Sequence, residues 1–318
     1  MTDIVEFPNN AEHYYRKALN ELREQHFDRA ETLLLKSIAL DYKTDAFLEL
    51  VRLYITSNRK ESLRELWDAY YPRPESRLEY EELAHCHAAS IATLQPLQKA
   101  LIELYRLRDY CEQQDWDTVP VQIEIEILNQ HQRLEEELAR AIANQEVSIL
   151  LEDLHAAGAY SLLEHLKHLY TLPYEDCAPL YRLILDHPLI EQYIKSDVLH
   201  YFLNKKIAET LPLIWFGEPH IVSTESLRPY NEQKQFLATL RAIQSYCEQY
   251  NPQLYDELIQ QLTLQSMCFY PFINDVLHHP EEWVECMTSE TIPDSPLAKK
   301  ILAASDELFN LLEEEIFE

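Results

Sequence analysis

Apolar positions recur at helical spacing almost from the start of the chain. Tyr14, Tyr15, Ala18, Leu19 and Leu22 mark one helical face, and Ala30, Leu33, Leu34, Ser37, Ile38 and Leu40 mark a second. Between them Gln25-His26-Phe27-Asp28 breaks the stripe and supplies a turn, so the two helices form a hairpin. The pattern then returns through Phe47, Leu50, Val51 and Tyr54, breaks at Asn58, and resumes at Leu63 and Trp67. Tyr14 to Ala30 and Phe47 to Leu63 are both sixteen residues apart, and Tyr14 to Phe47 is thirty-three. Two agreeing registers predict a repeated helical hairpin over 11–70, closed by Pro72 and Pro74.

Helical stripes resume at 75–92, 95–114 and 120–143. VQIEIEIL at 121–128 alternates with the period of a strand, but its continuation into HQRLEEELARAI favours a helix. Past Asn144 the helices shorten into pairs, 146–157 with 160–169 and 175–186 with 188–204. Residues 207–224, IAETLPLIWFGEPHIVST, differ in kind. They are rich in β formers around Phe216-Gly217-Glu218-Pro219, which predicts a two-stranded hairpin with Trp215 and Phe216 packed on neighbouring helices. Helices return at 231–250, 252–267, 270–278, 281–289 and 296–316. The expected organisation is repeats and following helices over 1–145, then a more degenerate helical-repeat domain with the hairpin over 146–318.

The spacing of the first hairpins resembles the tetratricopeptide repeat (TPR), a unit of about 34 residues. Tyr14 stands at its first aromatic position, Ala18 at its small one, Phe27 at the turn, Ala30 at the start of the second helix and Leu34 at its bulky site. Lys17 and Glu21 depart from it at sites that are usually apolar, and Gln25 replaces the turn glycine. The string DHPLIEQYIKSDVLHYFLNKK followed by PLIWFGE also resembles a group of bacterial TPR proteins. The resemblance implies an all-α, TPR-like α-solenoid whose first helices line a concave groove. That groove would present Tyr15, Leu19 and Arg23 from one helix and Leu48, Arg52 and Thr56 from the next. Tyr15, Leu19 and Leu48 replace the Lys and Asn of carboxylate-clamp TPR domains, so an apolar or helical protein segment is the expected partner.

Composition narrows the function classes. Only Gly158 and Gly217 are glycines, which leaves no room for a phosphate-binding glycine loop or a dinucleotide fingerprint. The net charge is −28, a balance that repels nucleic acid and anionic lipid. Residues 11–70 hold ten basic and eleven acidic side chains, Asp3 and Glu6 precede them, and the remaining −25 falls on 71–318. An acidic segment could therefore approach the repeats alone. Six scattered cysteines without a C-x-x-C pair, a polar start and the lack of a long apolar run lead to the expectation of a cytoplasmic protein with reduced thiols.

Candidate chemistry is sparse. His85-Cys86-His87 are adjacent on a helix and point about 100° apart, so they do not share one ion. Glu124 with Glu126 and Glu135 with Glu137 lie in charged helical stretches read as solvated faces. The expectation is a non-enzymatic adaptor with no cofactor and no metal. The alternatives are a sensor or enzyme with a pocket near 207–224, or a self-assembling structural protein. A further docking segment is offered by the acidic tail from Glu313.

Overall fold

The computed structural model describes residues 10–289 and 294–317, with side chains through Leu311. The expectations for the first ten residues and for the side chains of the acidic tail thus lie largely or wholly outside the described residues. Within them the chain is mostly helical, with sixteen α-helices, short 3-10 turns and one two-stranded sheet. It divides into two compact units, one ending at Arg133 and the other beginning at Leu134.

The first unit contains α1 (Ala11–Arg23), α2 (Phe27–Leu40), α3 (Thr44–Thr56), α4 (Lys60–Tyr70), α5 (Glu81–Leu94), α6 (Leu97–Gln113) and the start of α7 (Val119–Asn144). The Asn10 side chain caps α1 by accepting the His13 N–H. Successive helices pack together from α1 to α6, and α3 also packs on α5. One core cluster joins α1 to α5 around Phe47, Leu63 and Trp67, and a second joins α5, α6 and α7 around Leu104 and Val121. Between hairpins, the Arg59 guanidinium reaches back to Asp28 and Glu31, each at 2.5 Å, and the Tyr54 hydroxyl donates to Glu31 at 2.8 Å.

The helix ends repeat one device. Gln25, Asn58, Asp115, Gln145 and Lys206 all take φ between 52° and 61°. In each case the next N–H turns back onto a carbonyl five residues earlier, as His26 does to Glu21 at 2.8 Å and Arg59 to Tyr54 at 2.8 Å. This is the Schellman termination, normally given to glycine because a Cβ is strained in the left-handed region. Relieving that strain outweighs the added chain entropy of a glycine, so Gln25→Gly should stabilise the protein by about 1 kcal/mol, read as a rise in the urea midpoint.

The second unit contains the rest of α7, then α8 (Val147–Ala156), α9 (Ala159–Leu169), α10 (Tyr174–Asp186) and α11 (Gln192–Lys205). Strands β1 (Thr210–Trp215) and β2 (Glu218–Ser223) follow, and then α12 (Lys234–Gln249), α13 (Tyr255–Phe269), α14 (Ile273–Val276), α15 (Pro280–Thr288) and α16 (Pro296–Phe317). Helix α11 sits at the centre, packing on α10, α13 and α16, and buries even Gln192, Lys195 and Ser196. Helix α16 lies against α9, α11, α13 and α15.

The β-hairpin is present. Its strands pair antiparallel from Thr210↔Ser223 to Trp215↔Glu218, leaving Phe216 and Gly217 as a two-residue turn, both with positive φ. Leu211, Leu213 and Trp215 alternate inward along β1, which packs on α10. VQIEIEIL belongs to helix α7, as its continuation implied.

Several expected helices are shorter. The stripe at 75–92 begins as a 3-10 turn, Pro74–Leu78, and becomes α5 only at Glu81. The helix expected at 188–204 starts at Gln192, after Pro188, and that expected at 270–278 contracts to the four residues of α14, after Pro271. Proline has no N–H and biases the preceding residue away from helix, so the apolar spacing around it overstated the helical length.

Candidate functional site

The residues expected to line a groove occupy α1 and α3. Tyr15 and Leu19 are half-buried on α1, and Arg23, its last residue, is exposed. Leu48 on α3 is 6% exposed and belongs to the core, so it forms floor rather than surface. Arg52 is exposed and pairs with Glu49 at 2.5 Å, and Thr56 is the exposed last residue of α3.

Charges on α3 act on groups of both α1 and α5. Burial pushes the Tyr15 phenol up from its ordinary range, and Glu49 and Asp45 of α3 push it further. The Cys86 thiol on α5 is also raised, first by burial, and it feels both Arg52 and Glu49. Tyr15 on α1 and Cys86 on α5 therefore both lie within the influence of the Glu49–Arg52 pair on α3. Tyr15, Leu22 and Ile55 add partly buried apolar surface against the core. Arg23 forms no ion pair among the described residues, whereas Glu12 is held by Arg16 at 2.8 Å and Lys43 at 2.9 Å. The Lys43 hydrogen bond, then that of Arg16, lowers the Glu12 carboxyl below its usual value.

A second feature of this unit was not picked out from the sequence. Tyr42, Tyr70, Tyr71 and Arg73 line an open cleft of about 960 Å³. Tyr42 and Tyr70 stack with centroids 5.3 Å apart, while the Tyr42 and Tyr71 hydroxyls share a hydrogen bond of 2.7 Å. Burial pushes Tyr71 up to about 12. The available signal was the Tyr70-Tyr71-Pro72 triplet, which reads simply as a helix end.

The inner side of the β-hairpin is filled. Trp215 is 4% exposed and its Nε1 donates to the Cys268 carbonyl at 3.2 Å. The rings of Phe216 and Phe272 lie 4.9 and 5.0 Å from it, and the Lys300 ammonium sits 4.1 Å over its face. Behind the hairpin, the buried Lys195 donates to the Ile214 carbonyl at 2.7 Å, and the Glu307 carboxylate accepts the Gln192 N–H at 2.8 Å.

The three side chains at 85–87 diverge. His85 Nε2 bonds the Asp117 carbonyl at 2.7 Å, Cys86 enters the core, and His87 packs its ring 5.3 Å from that of Trp67. Burial pushes the His87 imidazole down to about 4. Sequence reasoning did overlook Glu21, Glu24 and His26, whose ligand-type atoms all lie within 4.8 Å of one another. They meet because the left-handed Gln25 folds the end of α1 back, and His26 pairs with Glu21 at 3.0 Å and Glu24 at 3.4 Å. No helix among the described residues is long and apolar enough to cross a membrane. In comparisons with protein-family models, curated proteins and solved structures, the chain matches none.

Proposed function

We propose that the first unit is a TPR-type solenoid segment and that the protein works as a cytoplasmic adaptor, holding an apolar or helical segment of another protein against α1, α3 and α5. The supporting observation is the half-buried Tyr15 of α1 near the charged Glu49–Arg52 pair of α3, with the buried Cys86 of α5 near the same pair. Partly apolar surface bordered by Arg23 and Arg52 suits an amphipathic helix that carries an acidic residue on its flank. Leu48 supports this face from beneath, while Tyr15, Leu19, Arg23, Arg52 and Thr56 make the contacts. Charge favours the same unit, since residues 11–70 are nearly neutral in a chain of −28.

The test is affinity capture with the full chain. Leu19→Lys combined with Arg52→Glu should reduce recovery of a specific partner by about tenfold or more, as expected when an apolar and a charged contact are both reversed. Leu35→Lys, at an exposed leucine of α2, should leave recovery unchanged. Equal recovery by the double variant and the wild type would remove the assignment.

A further inference from the structure

The outer side of the β-hairpin borders a cleft that the groove reading does not use. It encloses about 450 Å³ between β2, the segment leading into α12 and the residues after α13. That volume lies in the range of small-molecule sites. One wall is apolar, made by Ile221, Leu227, Pro271 and Phe272. Ile221 is 71% exposed and offers apolar surface to a ligand in the cleft.

The other wall is polar and carries two cations, Arg228 and Lys234, against one carboxylate, Glu232. Neither cation forms an ion pair among the described residues. The cleft lining thus carries a net +1 in a chain of −28. The same wall contains the start of α12, a helix of sixteen residues whose N-terminal dipole favours an anion. The Gln235 N–H is already taken by the Asn274 side chain at 3.0 Å, but no described acceptor meets the N–H groups of Lys234 and Phe236.

An independent observation points the same way. Gln233 is only 7% exposed, lines the cleft, and its side-chain amide bonds to no described residue. Its amide nitrogen and oxygen are not sealed from solvent, so both are free to hydrogen-bond a group that enters the cleft. Its free donor and acceptor line the same cleft as the two cations.

We infer that this cleft binds a small organic anion, with its carboxylate or phosphate group at Arg228, Lys234 and the Gln233 amide and its apolar body on Ile221 and Phe272. The site lies wholly in the second unit and stands or falls independently of the adaptor reading.

The experiment is ligand-observed NMR titration of the full chain with three aromatic probes of similar size: benzoate, phenyl phosphate and neutral benzamide. Saturable binding of benzoate or phenyl phosphate is expected, with benzamide at least about tenfold weaker, and the tighter of the two anions identifies the headgroup. Arg228→Ala with Lys234→Ala should weaken the anion by about tenfold or more, as expected for losing two charge-assisted contacts. Both side chains are exposed, so this variant should keep its helical circular dichroism. Gln233→Leu should weaken the anion while sparing benzamide, whereas Arg241→Ala, elsewhere on α12, should change nothing. Binding of benzamide equal to that of the anions, an unaltered anion affinity in the double variant, or no saturable anion binding would each overturn the inference.

Discussion

Trp67→Ala should destabilise the first unit by about 3–5 kcal/mol, the range for deleting a fully buried aromatic side chain. Trp67 is 1% exposed and belongs to the cluster that joins α1 to α5. Its ring meets Phe47 edge-on at 5.1 Å, Tyr71 at 5.9 Å and His87 at 5.3 Å, and the Arg77 guanidinium lies 5.4 Å away. The indole Nε1 also donates to Ser90 Oγ at 2.8 Å, so one side chain on α4 fastens α3 behind it and α5 ahead of it. Alanine would open a cavity and end that bond together. Trp67→Phe separates the two effects, keeping most of the apolar volume and losing only the donor, at a cost of about 1–2 kcal/mol. Urea unfolding followed by circular dichroism measures both. A loss below about 1 kcal/mol for the alanine variant would contradict the packing described.

The second large effect concerns charge buried at the centre of the other unit. Lys195 is 1% exposed, and burial pushes its ammonium down to about 8 despite the opposing pull of Glu307, Glu191 and Asp186. Between about pH 8 and its ordinary 10.5, the unfolded chain binds a proton that the folded chain has already released. Stability therefore rises with pH across that window, by about 3 kcal/mol from this residue. Glu307 behaves oppositely. Burial raises its carboxyl to about 7, although the Gln192 N–H bond favours the charged form. Between its ordinary 4.5 and about 7, the folded chain holds a proton that the unfolded chain has lost, so stability falls as pH rises. Subtracting the urea stability of Lys195→Met from that of the wild type should give a difference that climbs above pH 8. The same subtraction with Glu307→Gln should give one that declines between pH 4.5 and 7. Flat differences would show that neither group is desolvated as described.

The helical hairpins at the start of the chain were legible where a helix buries one face, as in α2, whose buried Ala30, Leu34, Ser37 and Ile38 follow the 3.6-residue period. The β-hairpin was legible for a different reason. A two-residue turn needs positive φ, and Phe216-Gly217 supplied one of the chain's two glycines between β-forming runs. The centre of the second unit was harder to read. Helix α11 is buried on nearly every side and includes Gln192, Lys195 and Ser196, so amphipathic spacing gave no clue to its position. The candidate sites were legible only in part. Tyr15, Leu19 and Arg52 are half-buried or exposed, as helical register implied, but Leu48, only about 40° round α3 from Arg52, is enclosed in the core. The tyrosine cleft and the Gln233 cleft combine residues far apart in the chain, Tyr42 with Tyr70 and Ile221 with Phe272, and no local pattern joins such pairs.

The adaptor reading depends on where another protein touches the first unit. Photo-cross-linking of the full chain measures this directly, with benzoylphenylalanine replacing Leu19 on α1 or, as a comparison, Leu35 on α2, in cells that make the protein natively. Leu19 is half-buried beside Tyr15, whereas Leu35 is 43% exposed on the second helix of the same hairpin. The account predicts one discrete protein adduct from position 19 that is absent from position 35 and is lost when Arg52→Glu is added. The same adducts from both positions, or none from position 19, would contradict it.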